Sequence, residues 1–411
     1  MPSNNQEAKN SSAVQRADVK AHGLDGQLVQ PDWPVLRLDE VDQLLRSFPQ
    51  AQRAERILSY SPRPFSAASI VQTPAGKVFV KRHHHSVRDR CSLLEEHRWL
   101  NHLSQRTALV KKPLQDHHGE SAFTRDVWTY EVHPHGDGRD IYEEAQSWTP
   151  FLSSAHARHA GRALAELHRA SAGYDAPARN PAPLITSFQV LAQDEPWPAL
   201  QKYIEQRPGL HSYLAQRNWF SETQQMFGPL HEKLRPYLPV FQPFWTHNDF
   251  HASNLLWSDD SLDAKVTDIF DMGLADRTTA IHDVATAIER NGVEWLQIHD
   301  PSCDPLHLQQ IDQLLQGYEE SHPFSREEAD ALVALLPLVH AEFALSEVHY
   351  FFAVLKSQEK ADVAYLEYYL GHARWFGSDR GKQLLDHLRA WADAHSAGAN
   401  PKTPLTAGIE Q

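Results

Sequence analysis

Cysteine is nearly absent: Cys91 and Cys303 are the only two in 411 residues. That excludes a disulfide framework, a C-x-x-C redox pair and a zinc ribbon, and makes a reducing compartment the default. Basic residues are scarce beside acidic ones, 39 against 53, for a net charge of -14. A protein that lives on nucleic acid needs a basic surface to displace counterions, so no nucleic-acid partner is expected. The amino terminus, MPSNNQEAKNSSAVQRADVKAHG, has no apolar run of signal-peptide length, and no other stretch reads as a membrane span. The expectation is a cytoplasmic chain without a membrane partner. A Walker A sequence is also missing, which excludes a P-loop NTPase.

What is present is a globular balance, 41% hydrophobic and 22% charged. The informative stretch runs from Trp245 to Arg290, WTHNDFHASNLLWSDDSLDAKVTDIFDMGLADRTTAIHDVATAIER. It spaces a His, an Asn and several Asp in a way that suits phosphoryl transfer. That reaction needs an acidic residue to orient the attacking hydroxyl and oxygen ligands to hold Mg2+ against the phosphates. HNDFHASN supplies Asp249 as the base and Asn254 as a metal ligand. LLW, the turn SDDSLD and the strand AKVTDIF then deliver a second carboxylate, Asp271.

The pattern HxDxxxxN, followed by an apolar strand ending in Asp, resembles the aminoglycoside phosphotransferase and homoserine kinase superfamily, small-molecule relatives of protein kinases. The resemblance implies an α+β, protein-kinase-like two-lobe fold: a small antiparallel-sheet N-lobe with one helix and a large, mainly helical C-lobe. It implies ATP and Mg2+ as cofactors, Asp249 as catalytic base, and Asn254 and Asp271 as metal ligands. His247 of the HxD element and Asp283 of HDVA become structural supports. Asn248 stands where relatives often have Gly, a mild departure because Asn tolerates unusual backbone angles.

On this reading residues 1–30 are disordered, 31–134 form the nucleotide-binding N-lobe, 135–395 the C-lobe, and 396–411 a loose tail. VLRLDEVDQLLRSF predicts a lead-in helix, and RILSYSP, SAASIVQT and KVFVKRH predict three antiparallel strands. Lys81 ends the third strand and should reach the phosphates, oriented by Glu96 on the helix SLLEEHRWLNHLSQ, with Glu95 the runner-up. The turn PRPFSAAS contains no Gly, so Ser66 and the backbone of Ala67 and Ala68 are the phosphate-loop candidates. Adenine is expected on backbone near Glu131 and Val132. The run His83, His84, His85 reads as a solvated loop, and His168 as a core histidine. Prolines at 177, 181, 183, 196 and 198 make residues 174–200 an irregular connector.

Within LVHAEFALSEVHYFF, polar groups interrupt an apolar helix, which is costly unless they find partners. With His251, Glu342 and Glu347 are the candidates for an acceptor pocket that binds an amine, as in an amino acid, amino sugar or amino alcohol. Three functions compete: a small-molecule O-phosphotransferase, an atypical protein Ser/Thr kinase, and a non-catalytic nucleotide-binding regulator. The short segment between Asp271 and the helices favours the first.

Overall fold

The computed structural model describes residues 31–145 and 148–395. The segments expected to be disordered or loose, 1–30 and 396–411, lie outside the described residues. The three predicted strands form as β1 (Arg56–Tyr60), β2 (Ala67–Thr73) and β3 (Gly76–His84). They join β4 (Ala122–Arg125) and β5 (Trp128–Pro134) in an antiparallel sheet of order β1-β2-β3-β5-β4. Because strand side chains alternate between faces, Val80 and its cross-strand partner Val132 point one way, and Lys81 and Glu131 the other.

The apolar face is covered by the lead-in helix α1 (Leu38–Leu45), whose Val41 and Leu45 pack with Phe48 on Val71, Val78, Val80, Tyr130 and Val132. Glu40 of α1 accepts from Arg82 Nη1 and Tyr130 Oη, each at 2.7 Å. The predicted lead-in helix thus covers the Val-rich face of the sheet. The second helix, α2 (Arg90–Leu103), brings His97 to within 2.9 Å of Glu131 on the polar face.

The helical body begins with α3 (Ser154–Ser171), an Ala- and Leu-rich helix capped by Ser153. No helix or strand occupies 172–195. The irregular stretch ends earlier than expected because α4 (Pro196–Glu205) starts on a proline, where a missing N–H costs nothing. Next come α5 (Pro208–Leu214) and α6 (Trp219–Leu234). Two small ribbons carry the motif: β6 (Pro243–Thr246) pairs with β9 (Asp276–Thr279), and β7 (Leu255–Trp257) with β8 (Val266–Ile269). Then α7 (Ala280–Gly292), α8 (Leu308–Glu319), α9 (Arg326–Leu335), α10 (Ala341–His349), α11 (Gln358–Val363), α12 (His372–Trp375) and α13 (Asp379–Asp393) complete the body.

One sequence expectation is corrected here. The run Arg326–Val354 is long and apolar enough to cross a membrane by length and composition, but 94% of its apolar window is buried inside the protein. Between the lobes, Arg139 exchanges two backbone hydrogen bonds with Trp257. At Gly138 a Cβ would stand 2.1 Å from Thr267 Oγ1 and 3.0 Å from Trp257 N, so this linker needs glycine to lie against the β7–β8 hairpin.

If α1 belongs to the core of the sheet lobe, Leu45→Ala should cost about 2–5 kcal/mol, as buried Leu truncations do. Chemical denaturation checks this; a loss below about 1 kcal/mol would make α1 peripheral.

Candidate active site

The loop after β6 is held by one carboxylate. Asp283, fully buried in the first turn of α7, accepts from the backbone N–H of His247 (Oδ2, 2.9 Å) and of Asn248 (Oδ1, 2.7 Å). His168 Nε2 lies 3.0 Å from the same carboxylate, and its Nδ1 lies 2.8 Å from Tyr318 Oη. Burial pushes Asp283 up, but His168 and His247 outweigh it, and the group is held below the usual carboxylate range. Asn248 has φ 63, the left-handed region that Asn enters more easily than most residues. Its Oδ1 accepts from Thr278 Oγ1 at 2.7 Å. His247 Nδ1 accepts from the N–H of Asp249 at 3.2 Å, which leaves Nε2–H to donate to Phe270 O at 3.0 Å. His247 thus ties the loop to the residue before Asp271.

Asn254 Nδ2 donates to Asp249 O at 2.9 Å, an orientation in which its amide oxygen could serve as a ligand atom. Asp271 sits at φ 55, just past β8, and receives Lys81 Nζ at 2.7 Å. Two cavities meet at this point. The smaller, about 190 Å³, is lined by Lys81, Glu96, His133, Gly136, Asn254 and Asp271. The larger, about 460 Å³, is lined by Asp249, Arg290, Trp148, Phe343, Glu347 and Tyr368, and also by Lys81 and Asp271.

A family model described as "Phosphotransferase enzyme family" matches residues 65–350. The chain belongs to this family. Among solved structures, an amicoumacin kinase in complex with AMP-PNP, Ca2+ and Ami is 15% identical, at a TM-score of 0.51 over 90% of this chain and 96% of the other. An aminoglycoside phosphotransferase from Alicyclobacillus acidocaldarius subsp. acidocaldarius is 13% identical, at a TM-score of 0.47 over 88% and 98%. A spectinomycin phosphotransferase in complex with ADP and spectinomycin is 11% identical, at 0.46 over 86% and 98%. No curated protein sequence matches the chain. The phosphotransferase has the kinase-like α+β fold, with a five-stranded antiparallel sheet beside a helical body.

Several expected residues of this phosphotransferase fall elsewhere than expected. Lys81 pairs with Asp271 rather than Glu96, although Glu96 lines the same cavity and its field helps hold the lysine charged. Glu96 instead stands 3.7 Å from Arg179, and half-buried Glu95 lies 3.8 Å from the same guanidinium. Glu131 is in the middle of β5, between β3 and β4, and Val132 O accepts from Leu114 N, so their backbone is occupied. The wall of the smaller cavity includes Glu131 and continues at His133, Pro134, His135 and Gly136. Ser66 lines the larger cavity, not the smaller, and Ala67 and Ala68 are inside β2.

Two acceptor-pocket assignments are corrected. Glu342 is saturated: it accepts from the N–H groups of Gln189, Val190 and Leu191 at 3.0 Å each, and from Ser187 Oγ. It holds the connector rather than lining either cavity. His251 is buried beside Asp249, with Nε2 3.6 Å from its Oδ2 and Nδ1 2.9 Å from Ser253 Oγ. The run of three histidines is not a loop, since His83 and His84 end β3 and His83 is buried.

Sequence reasoning missed the arginines. Arg290 Nε donates to Asp249 Oδ1 at 3.1 Å, and its guanidinium lies 5.6 Å from the Trp148 ring and 5.5 Å from Phe343. Burial would raise Asp249, but His251 and Arg290 overcome it and hold the carboxyl below its usual range. Arg63, in the β1–β2 turn, lines both cavities. Burial lowers its pKa, while Asp140, Asp271 and Asp249 pull it back. The turn carries Pro62 and Pro64, which have no N–H, and Arg63 N is already bonded to Ser61 Oγ. A guanidinium thus stands where a glycine-rich loop would offer amides. Arg88 and Arg179 are also buried and fasten the carbonyls of Gly273 and Ala275, just past Asp271. The local signal is slight: Arg63 and Arg179 sit among prolines and Arg290 stands just past the apolar run VATAI, while nothing adjacent marks Arg88.

Glu347 is 6% exposed and its Oε2 has no hydrogen-bond partner; His340 Nε2 is 3.8 Å away. Burial pushes its carboxyl up to about 8. Between its ordinary 4.5 and about 8, the folded chain keeps a proton that the unfolded chain has lost, so stability falls as pH rises through this window. Glu347→Gln removes that penalty. Its melting temperature should exceed the wild type's by about 2 °C or more above pH 8, converging below pH 4.5. Differential scanning fluorimetry across pH checks this, and equal melting temperatures at high pH would contradict it.

Proposed function

We propose that this phosphotransferase moves the γ-phosphoryl group of ATP, with Mg2+, to a hydroxyl of a small molecule that also carries an amine. One observation carries the reading: Asp249 opens on the larger cavity, Asn254 on the smaller, and Asp271 and Lys81 on both. A base on the acceptor side, a metal ligand on the nucleotide side, and a shared carboxylate and lysine fit an in-line transfer across the junction. The donors at the junction, a carboxylate and an amide oxygen, suit a hard cation such as Mg2+. Such an ion neutralises charge on the β- and γ-phosphates.

The residues themselves divide the remaining work. Asp249, ionised and aimed by Arg290, accepts the proton of the acceptor hydroxyl. Lys81 and Arg63 supply fixed positive charge beside the phosphates. Trp148, Phe343, Phe351 and Tyr368 make an aromatic wall in the larger cavity, with Glu347 among them. Aromatic faces attract an ammonium group, and its charge favours the ionised form of Glu347, which burial otherwise keeps protonated. The cavity volume, about 460 Å³, lies in the range of small-molecule sites. Only Met272–Thr279 separate Asp271 from α7, which leaves no segment on which a protein substrate could be laid.

A panel of amino acids, amino sugars, aminoglycosides, amino alcohols and amine-free alcohols, assayed for acceptor-dependent ADP release, tests this. Turnover is expected with an amine-bearing alcohol, with KM raised tenfold or more by Glu347→Gln. Equal use of amine-free acceptors would contradict the amine assignment. Calorimetry separates the role of Arg63: Arg63→Ala should weaken ATP binding about tenfold while ADP binding changes less than threefold. Parallel loss of both nucleotides would place Arg63 away from the γ-phosphate.

A further inference from the structure

On the polar face of the sheet, three histidines converge on one carboxylate that the proposed reaction leaves unused. His97 Nε2 and His133 Nε2 lie 2.9 and 2.8 Å from Glu131 Oε2, and His83 Nε2 lies 2.9 Å from Oε1. Ligand atoms of His97, Glu131 and His133 are all within 4.8 Å of one another. Around a tetrahedral ion with bonds of about 2.0–2.1 Å, ligand atoms stand about 3.3 Å apart, so these spacings need only a small outward movement.

The outer contacts match those that orient metal ligands. His97 Nδ1 is 2.8 Å from Ser121 Oγ, leaving Nε2 as the inward atom, and the second oxygen of Glu131 is held by His83. The groups come from β3, α2 and β5, rigid elements suited to a defined ligand geometry. His97 and Glu131 are buried, while His133 is partly exposed and lines the smaller cavity, which gives an ion a route in and an open fourth position.

We propose that His97, His133 and Glu131 form a binding site for a borderline divalent ion such as Zn2+, distinct from the hard-cation site at Asp271 and Asn254. Two imidazoles and a carboxylate suit Zn2+ and not Mg2+. The site stands beside Lys81, the cross-strand partner of Glu131, so an ion there offsets a negative charge that otherwise acts on the lysine. It also clamps α2, which carries Glu96, to β5.

The test uses the full chain, stripped with chelator and free of nucleotide, titrated with Zn2+ against a chromophoric competitor, and separately with Co2+. The expected result is one tight equivalent of Zn2+ and a visible Co2+ absorption band from low-coordinate binding. His133→Ala, at the open edge of the site, should weaken binding at least a hundredfold, and Ser121→Ala about 10–100-fold. Asp271→Asn and His372→Ala, the latter in a second buried cluster of Glu289, His340 and His372, should leave it unchanged. Circular dichroism confirms folding of each variant. No stoichiometric Zn2+, or binding that survives His133→Ala, overturns the proposal and leaves the cluster as a hydrogen-bond network around Glu131. Neither outcome bears on phosphoryl transfer, which is read separately with Mg2+.

Discussion

The site depends on a buried carboxylate that lines neither of its two cavities. Asp283 accepts two consecutive backbone N–H groups of the catalytic loop and is itself held by His168 from α3. A carboxylate in a dry environment binds such donors strongly, and losing one would strand a charge at a cost of several kcal/mol. The loop can therefore carry Asn248 in a left-handed conformation and still present Asp249 in one direction. His247 extends the brace to Phe270 O, so Asp249 and Asp271 are positioned by one connected network.

Charge at the junction follows from that rigidity. Asp249 and Asp271 are both half-buried carboxylates, and each has a cation beside it: Arg290 for the first, Lys81 for the second. Arg63 closes the arrangement from the opposite lobe, on a proline-bearing turn that cannot offer a row of amides. The arrangement concentrates positive charge at the junction of the two cavities and favours the ionised form of Asp249. The aromatic wall and Glu347, with its burial-raised carboxyl, occupy the far side. This polarity gives the two cavities different chemical characters.

Much of this was legible because the chemistry is local in sequence. Asp249, Asn254 and Asp271 fall within one loop and hairpin, and the strands around Lys81 alternate cleanly. What could not be read involves partners far apart in the chain. Glu342 reads as a polar residue intruding on an apolar helix, yet its donors are main-chain groups some 150 positions earlier. Arg88 bonds carbonyls at 183 and 273, and Arg290 reaches back to Asp249. Main-chain acceptors have no side-chain signature, so such arginines look like surface charge in a linear reading. The α1 helix was visible, but not that it covers the sheet, and the histidine run was misassigned because Glu131 lies 48 residues away.

The account stands on Asp249 acting on the acceptor while nucleotide is held by other groups. Asp249→Asn is nearly isosteric and keeps the Arg290 contact partner in place. Rapid-mix single-turnover transfer from labelled ATP to a working acceptor, with nucleotide affinity measured on the same preparation, separates the two roles. The account predicts transfer slower by about 10²–10⁴-fold with ATP affinity within about threefold of wild type. Transfer at the wild-type rate would contradict it.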